Sequence, residues 1–160
     1  MLLNESEACT HLSATCRLKR WIDLLGAVVG LAIALPIGLL VAVAIQLDDP
    51  GPVFYRQVRC GLHGACFGMW KFRSMVVDAD RLKSSIANEA SGFIFKNERD
   101  PRITRVGRIL RKTSLDELPQ LWNVLRGDMS LVGTRPPTPD EVQQYASHHW
   151  RRLQVKPGIT

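Results

Sequence analysis

From Leu24 to Leu47 the chain reads LLGAVVGLAIALPIGLLVAVAIQL, twenty-four residues without a charge. As one helix this run would reach about 36 Å, enough to cross an apolar layer of ~30 Å. Pro36 stands in its middle. A proline removes a backbone donor and clashes with the preceding turn, at about 3 kcal/mol in a straight helix. It divides the run into halves of about 18 and 16 Å, neither of which crosses alone.

Three arrangements compete. A cleavable leader would use Arg17, Lys19 and Arg20 as its basic region and Ala42-Val43-Ala44 as its cleavage site. Its apolar part would be too long, and Glu5 and Glu7 precede it. A kinked spanning helix would place the basic flank inside and everything after Asp48 outside. Yet Arg56, Arg59, Lys71 and Arg73 give the downstream flank the stronger basic excess. A helix that enters, breaks at Pro36 and returns to the same face satisfies both flanks, provided protein or water covers the freed carbonyls. The residues alone leave spanning and re-entrant equally open.

At 160 residues the chain is long enough for one domain with a real core. The formal charge of +6 is uneven: three basic residues precede the apolar run and eighteen follow it. Such a surface suits phospholipid headgroups, nucleotide phosphates or nucleic acid, and charge alone does not choose. Cys9, Cys16, Cys60 and Cys66 form no C-x-x-C pair and no zinc-finger spacing with histidine. Four reduced thiols in a cytoplasmic compartment is the expectation, with Cys16, Cys60 and Cys66 in segments able to bury them. The adjacent His148 and His149 diverge on a helix and read as solvated side chains.

After the run, Asp48-Asp-Pro-Gly-Pro52 is a stiff turn. VFYRQVR (53–59) and CFGMWKF (66–72) flank a loop with glycines at 61 and 64, the pattern of a β-hairpin. Residues 78–90 are polar and helix-prone. In RITRVGRILRK (102–112), Ile103, Val106, Ile109 and Leu110 recur at helical spacing among Arg102, Arg105, Arg108, Arg111 and Lys112. This fits a helix in a membrane interface, arginines at headgroup level, or one packed on a soluble core. The arginine density favours the interface. Met129, Leu131 and Val132 read as packing residues.

The stretch TSLDELPQ (113–120) follows that basic run. Ser114-x-x-Glu117 fits a capping box, the plain structural reading of Asp116-Glu117. Pro119 would then fall beyond the first turn and disrupt it. If the next helix starts near Pro119 instead, both acids precede its N-terminus and can face one site. Paired-acid catalysis on a glycosidic bond needs one carboxyl protonated, whereas a field of cations holds both ionised. An ionised aspartate needs no general base to act as a nucleophile. Arginines and a divalent cation would relieve its repulsion from a phosphate, and Mg²⁺ prefers a few carboxylates together with substrate phosphates. The local charges therefore favour phosphoryl transfer through an aspartyl-phosphate.

KRWIDLLGAVVGLAIALP (19–36), DPGPVFYRQVRCG (49–61), KFRSM (71–75), DPRITRVGRILRKTSLDELPQLWNVLRGDMSLVG (100–133) and RPPTP (135–139) occur in this order. By these stretches the chain resembles the bacterial sugar transferases, the polyprenyl-phosphate phosphoglycosyl transferases, over nearly everything after residue 18. The long stretch 100–133 is the most specific. The resemblance implies a monotopic membrane protein on the cytoplasmic face of the bacterial inner (plasma) membrane. It implies a mostly α fold with a small β-hairpin, a Pro-broken re-entrant helix and amphipathic interfacial helices. Its divisions would be an N-terminal tail (1–18), the re-entrant helix (19–47, bent at Pro36) and a catalytic domain (48–160).

The implied reaction moves a sugar-1-phosphate from a UDP-sugar to undecaprenyl phosphate, the first membrane step of exopolysaccharide, capsule or O-antigen-type glycan synthesis. Asp116 attacks the β-phosphate, UMP leaves, and undecaprenyl phosphate takes the sugar-phosphate from Asp116. Glu117, with Asp116, is carried over as the Mg²⁺ site. Arg111 and Arg135, then Lys71 and Arg73, are the expected phosphate and nucleotide contacts; Arg102, Arg105 and Arg108 are assigned to phospholipid headgroups. Leu35 stands where the family often has serine, and Thr134 where it often has proline. The chain stops at KPGIT, where family members usually continue with a glycine-rich, aromatic segment. A truncated, inactive membrane-bound remnant is therefore the first alternative. A basic nucleic-acid-binding module is the second; the uncharged run speaks against it, and no nucleic acid is expected as a partner. The donor sugar and the oligomeric state are not legible.

Overall fold

In the computed structural model, residues 17–82 and 100–159 are described. The apolar run forms α1, Arg17–Asp48, a helix of 32 residues and about 48 Å. Pro36 lies inside α1, which continues on both sides of it, so the expected pair of separate halves is one helical element. Packing explains the tolerance. Asp23, Ala27, Ala34, Val41 and Ile45 are buried along one stripe, before and after the proline. Glycines let neighbours approach: an added Cβ at Gly30 would sit 3.1 Å from Leu121, and at Gly38 3.3 Å from Phe72. The other sides of α1 expose Leu25, Val29, Ile33, Leu40, Val43 and Leu47. Among the described residues it is the one helix long and apolar enough to cross a membrane.

Polar residues at both ends of α1 latch it to the rest of the chain. Arg20 donates to the carbonyls of Val124 and Leu125 at 2.6 and 2.8 Å. Buried Asp23 accepts from Ser130 Oγ at 2.9 Å and from the Leu131 amide at 3.1 Å. About 38 Å along the helix from Asp23, Asp48 accepts from the Val106 amide at 2.9 Å, and Asp49 pairs with Arg73 at 2.7 Å. Burying Asp23 without these donors would cost several kcal/mol, so the latch is specific.

The hairpin forms as the alternation predicts: β1, Phe54–Cys60, pairs antiparallel with β2, Cys66–Phe72, from Phe54↔Phe72 to Cys60↔Cys66. Short helices follow: α2 (Ala79–Leu82), α3 (Arg105–Thr113), α4 (Gln120–Arg126) and α5 (Pro139–Gln143), then a 3₁₀ segment, Ser147–Leu153. Most of the helix expected over 78–90, like Cys9 and Cys16, lies outside the described residues. Two core clusters form, Ala27 with Met69, Val124 and Met129, and Val41 with Ile45, Phe72 and Leu110. Each contains α1 residues, so the apolar helix is part of the core at both ends.

Four expectations are corrected. Leu110 is buried and Val106 packs beside it, so most of the 102–112 stripe faces the core, leaving Ile109 exposed. Arg102 is not a headgroup contact: it is buried and paired with Asp100 at 2.7 Å. The Arg102 guanidinium holds the Asp100 carboxyl below its ordinary value. Val132 and Cys66 are exposed. Arg105 and Arg108 are exposed, as a headgroup role would require.

Candidate active site

The acid pair sits in a break between two helices. Thr104 caps α3 by accepting from the Gly107 amide at 2.9 Å. Gly107 lets α3 lie against the Ser74 carbonyl, where no Cβ would fit. At the far end Ser114 adopts the left-handed conformation (φ 56°, ψ 17°), closing the helix with its N–H on the Leu110 and Arg111 carbonyls. One 3₁₀ turn, Leu115–Glu117, follows, and α4 starts after Pro119. The capping box does not form: Ser114 makes no side-chain cap bond. Its left-handed backbone ends one helix instead of starting the next.

Released from capping, the Glu117 carboxylate accepts from Lys71 of β2 at 2.7 Å. Asp116 is 7% exposed and borders a polar cleft of about 430 Å³. Lys71, Arg73, Arg111 and Arg135 line the same cleft. Five of the six residues singled out in the sequence thus meet there, with Glu117 joined through Lys71. Arg111 donates to Ser74 Oγ at 3.2 Å. Arg73 is committed elsewhere, with its guanidinium on Asp49 and one N–H on the Asp49 carbonyl, which makes it a latch for α1. Pro36, assigned to the membrane bend, is in α1 and not among the cleft's lining residues.

The electrostatics run against the sequence expectation at one point. Burial pushes the Asp116 carboxyl above its ordinary value, Glu117 adds to this, and Lys71 and Arg111 oppose it. Desolvation therefore outweighs the cations. A carboxylate stripped of water and held among fixed positive groups is suited to attack an anionic phosphorus centre.

Arg59 was not singled out for this site. It is buried, donates to Gln57 Oε1 and to the Pro136 carbonyl, and lines the cleft beside Arg135. Burial, then the nearby Arg135, lower its pKa. The signal was available in the alternation: Tyr55, Gln57 and Arg59 share one face of β1, and Tyr55 pairs with Lys71.

On the opposite face lies an apolar groove of about 760 Å³. Phe54 and Trp70 of the hairpin, Leu35, Leu39 and Ala42 of α1, and Pro119 and Trp122 line it, and Phe72 borders both cavities. Asn123, fully buried, ties α4 to β2: Nδ2 donates to the Gly68 carbonyl at 2.8 Å, and Oδ1 accepts from the Trp70 amide at 3.0 Å. Neither Asn123 nor Asp23 was foreseen, although each sits in a stretch that carries the resemblance.

Among the described residues no cluster of three or more His, Cys, Asp or Glu side chains forms. Asp116 and Glu117 offer carboxylate oxygens, the donor type that a hard divalent ion takes together with phosphate and water, and Glu117 is engaged by Lys71.

Residues 14–160 match the family model described as Bacterial sugar transferase. The chain is 51% identical over 144 residues to "Galactosyl transferase CpsE" of Streptococcus agalactiae serotype III (strain NEM316), covering 89% of the chain and 32% of that protein. It is 46% identical over 149 residues to "Undecaprenyl-phosphate galactose phosphotransferase" of Salmonella typhimurium, covering 89% and 31%. It is 45% identical over 145 residues to "UDP-glucose:undecaprenyl-phosphate glucose-1-phosphate transferase" of Caulobacter vibrioides, covering 89% and 51%. The chain thus spans between a third and a half of these relatives.

Proposed function

The chain belongs to the bacterial sugar transferase family, and on that premise we propose that it transfers a sugar-1-phosphate from a UDP-sugar to undecaprenyl phosphate, releasing UMP. The observation that carries this reading is the juxtaposition around Asp116. A buried carboxylate borders a cationic cleft, and the wall of that cleft is also the wall of an apolar groove. An acceptor that is a phosphate at one end and a hydrocarbon chain at the other needs both.

In the first step an Asp116 carboxylate oxygen attacks the β-phosphorus, the bond to the UMP oxygen breaks, and UMP leaves. In the second, a phosphate oxygen of undecaprenyl phosphate attacks the same phosphorus and frees Asp116. Lys71 holds Glu117 beside the nucleophile, and Arg111, Arg135 and Arg59 hold phosphate charge within the cleft. Mg²⁺ on Asp116 and Glu117 would neutralise the phosphates when bound. Such a reaction is the first membrane step of glycan assembly, at the cytoplasmic face of the inner membrane.

With a bend at Pro36 inside the continuous helix, α1 enters the apolar layer and returns to the side it came from. Two features support this: one polar domain holds both ends of the helix, and the large apolar residues between them face outward. Cysteines placed at Leu18 and Leu47 are expected to react with a membrane-impermeant maleimide from the same side. Reaction from opposite sides would mean a spanning helix.

The reaction is tested by UMP release from the detergent-purified chain given Mg²⁺, undecaprenyl phosphate and a panel of UDP-sugars. One sugar should support release, and Asp116→Asn should abolish it. Release unaffected by Asp116→Asn would overturn the nucleophile, and no release from any sugar would overturn the transferase reading of this chain. The panel also names the donor, since galactose and glucose both occur in the relatives' names.

A further inference from the structure

The far end of the hairpin carries two side chains that the proposed reaction does not use. Cys60 and Cys66 are directly opposed across β1 and β2, with their Sγ atoms 3.4 Å apart. The Cys60 N–H points away from β2, donating to the Pro137 carbonyl at 2.9 Å. The pair is therefore of the closer, non-hydrogen-bonded kind, with Cα atoms roughly 4.5 Å apart, inside the range a disulfide spans. The loop between them is closed by the Gly61 N–H on the Ala65 carbonyl at 2.8 Å, with His63 and Gly64 at positive φ (55° and 78°). Cys60 is buried and Cys66 exposed.

We propose that Cys60 and Cys66 form a reversible oxidation site that closes a cross-strand disulfide by exchange with a low-molecular-weight disulfide of the glutathione class. Exposed Cys66 reacts first: its thiolate attacks one sulfur of the small disulfide, forming a mixed disulfide and releasing one thiolate. Cys60 then loses its proton and attacks Cys66 Sγ, releasing the second thiol. Two protein thiols give up two protons and two electrons, and the small disulfide becomes two thiols. Burial and the hydrogen bond with Cys66 push the Cys60 thiol up to about 11, which suits it to the resolving step and not to the first attack.

The location gives the bond a consequence. Cys60 and Arg59 both hold the Pro136–Pro137 backbone, and Arg59 and Arg135 line the cleft. A disulfide would fix the strand end that carries Arg59. In a reducing compartment such bonds are transient and sensing, not structural. The inference stands on the thiol geometry and does not depend on the transferase reading.

The test uses one peptide. Trypsin cuts after Arg59 and Lys71, so both sulfurs lie in the fragment 60–71. The reduced 160-residue chain is treated with oxidised glutathione, alkylated and digested. The expected fragment is lighter by two hydrogens and carries no alkyl group; dithiothreitol returns it to the doubly alkylated form. Cys60→Ser should stop at a glutathione adduct on Cys66. In denaturant the ring should form more slowly than in the folded chain. Double alkylation after oxidation, a lasting wild-type glutathione adduct, a bond to Cys9 or Cys16, or equal rates in denaturant would each overturn the proposal.

Discussion

The two faces of the β1–β2 hairpin differ as sharply as any two surfaces of this chain. One presents Tyr55, Gln57, Arg59 and Lys71 to the polar cleft that holds Asp116; the other presents Phe54 and Trp70 to an apolar groove against α1. The same fourteen strand residues build both, because successive side chains leave a strand on opposite faces. Two strands suffice to separate a place for charge from a place for hydrocarbon, with Phe72 bordering both. On the proposed reading, the phosphate of the acceptor meets Asp116 around that strand end while its chain stays in the groove.

If the two compartments are separate, each can be damaged alone. Asp116→Asn should have the largest effect, a loss of roughly 10⁴-fold or more in UMP release, since a nucleophile has no substitute. Filling the groove should act on the acceptor only. Ala42→Trp is expected to raise the KM for undecaprenyl phosphate by roughly 10- to 200-fold, the range for altered apolar contact in a pocket. The single burst of UMP measured without acceptor should be unchanged. Equal damage to burst and turnover would mean that groove and cleft are one site.

The partition itself was only half legible in the sequence. The hairpin could be read because its alternation and its glycine loop are local signals, and the acid pair because TSLDELPQ combines a helix stop with adjacent charges. The groove could not, since its walls come from α1, the hairpin and the start of α4, brought together by tertiary packing. Periodicity also cannot tell which cation finds a partner. Arg102 reads like Arg105 and Arg108, yet Asp100 two residues earlier draws it inside. For Ser114-x-x-Glu117 the local rule failed because the left-handed Ser114 closes α3, its N–H on the Leu110 and Arg111 carbonyls.

The dividing wall depends on one buried amide. Asn123 holds the Trp70 N–H and the Gly68 carbonyl, so Asn123→Ala leaves both polar groups of β2 without their partner. A destabilisation of about 1–3 kcal/mol is expected in thermal or denaturant unfolding. Donor and acceptor KM should rise together in this variant, unlike Ala42→Trp. A change in only one of them would place the wall elsewhere.

The smallest effect is the most discriminating about the cleft. Folding raises the Asp116 pKa above its ordinary value of 3.8, chiefly by burial. The folded chain then binds this proton more tightly than the unfolded one. Whatever stability the group contributes is present below pH 3.8 and lost as pH rises through the folded pKa. At neutral pH the ionised carboxylate therefore costs stability, and Asp116→Asn should raise it while abolishing turnover, the usual exchange at a site built for reaction. The difference between the two proteins should disappear as the pH is lowered through the Asp116 titration, because both then carry a neutral side chain. Unfolding midpoints measured across that range read this directly. A variant less stable than the parent at neutral pH would mean that Asp116 is a satisfied structural carboxylate, held by its cations and not strained among them.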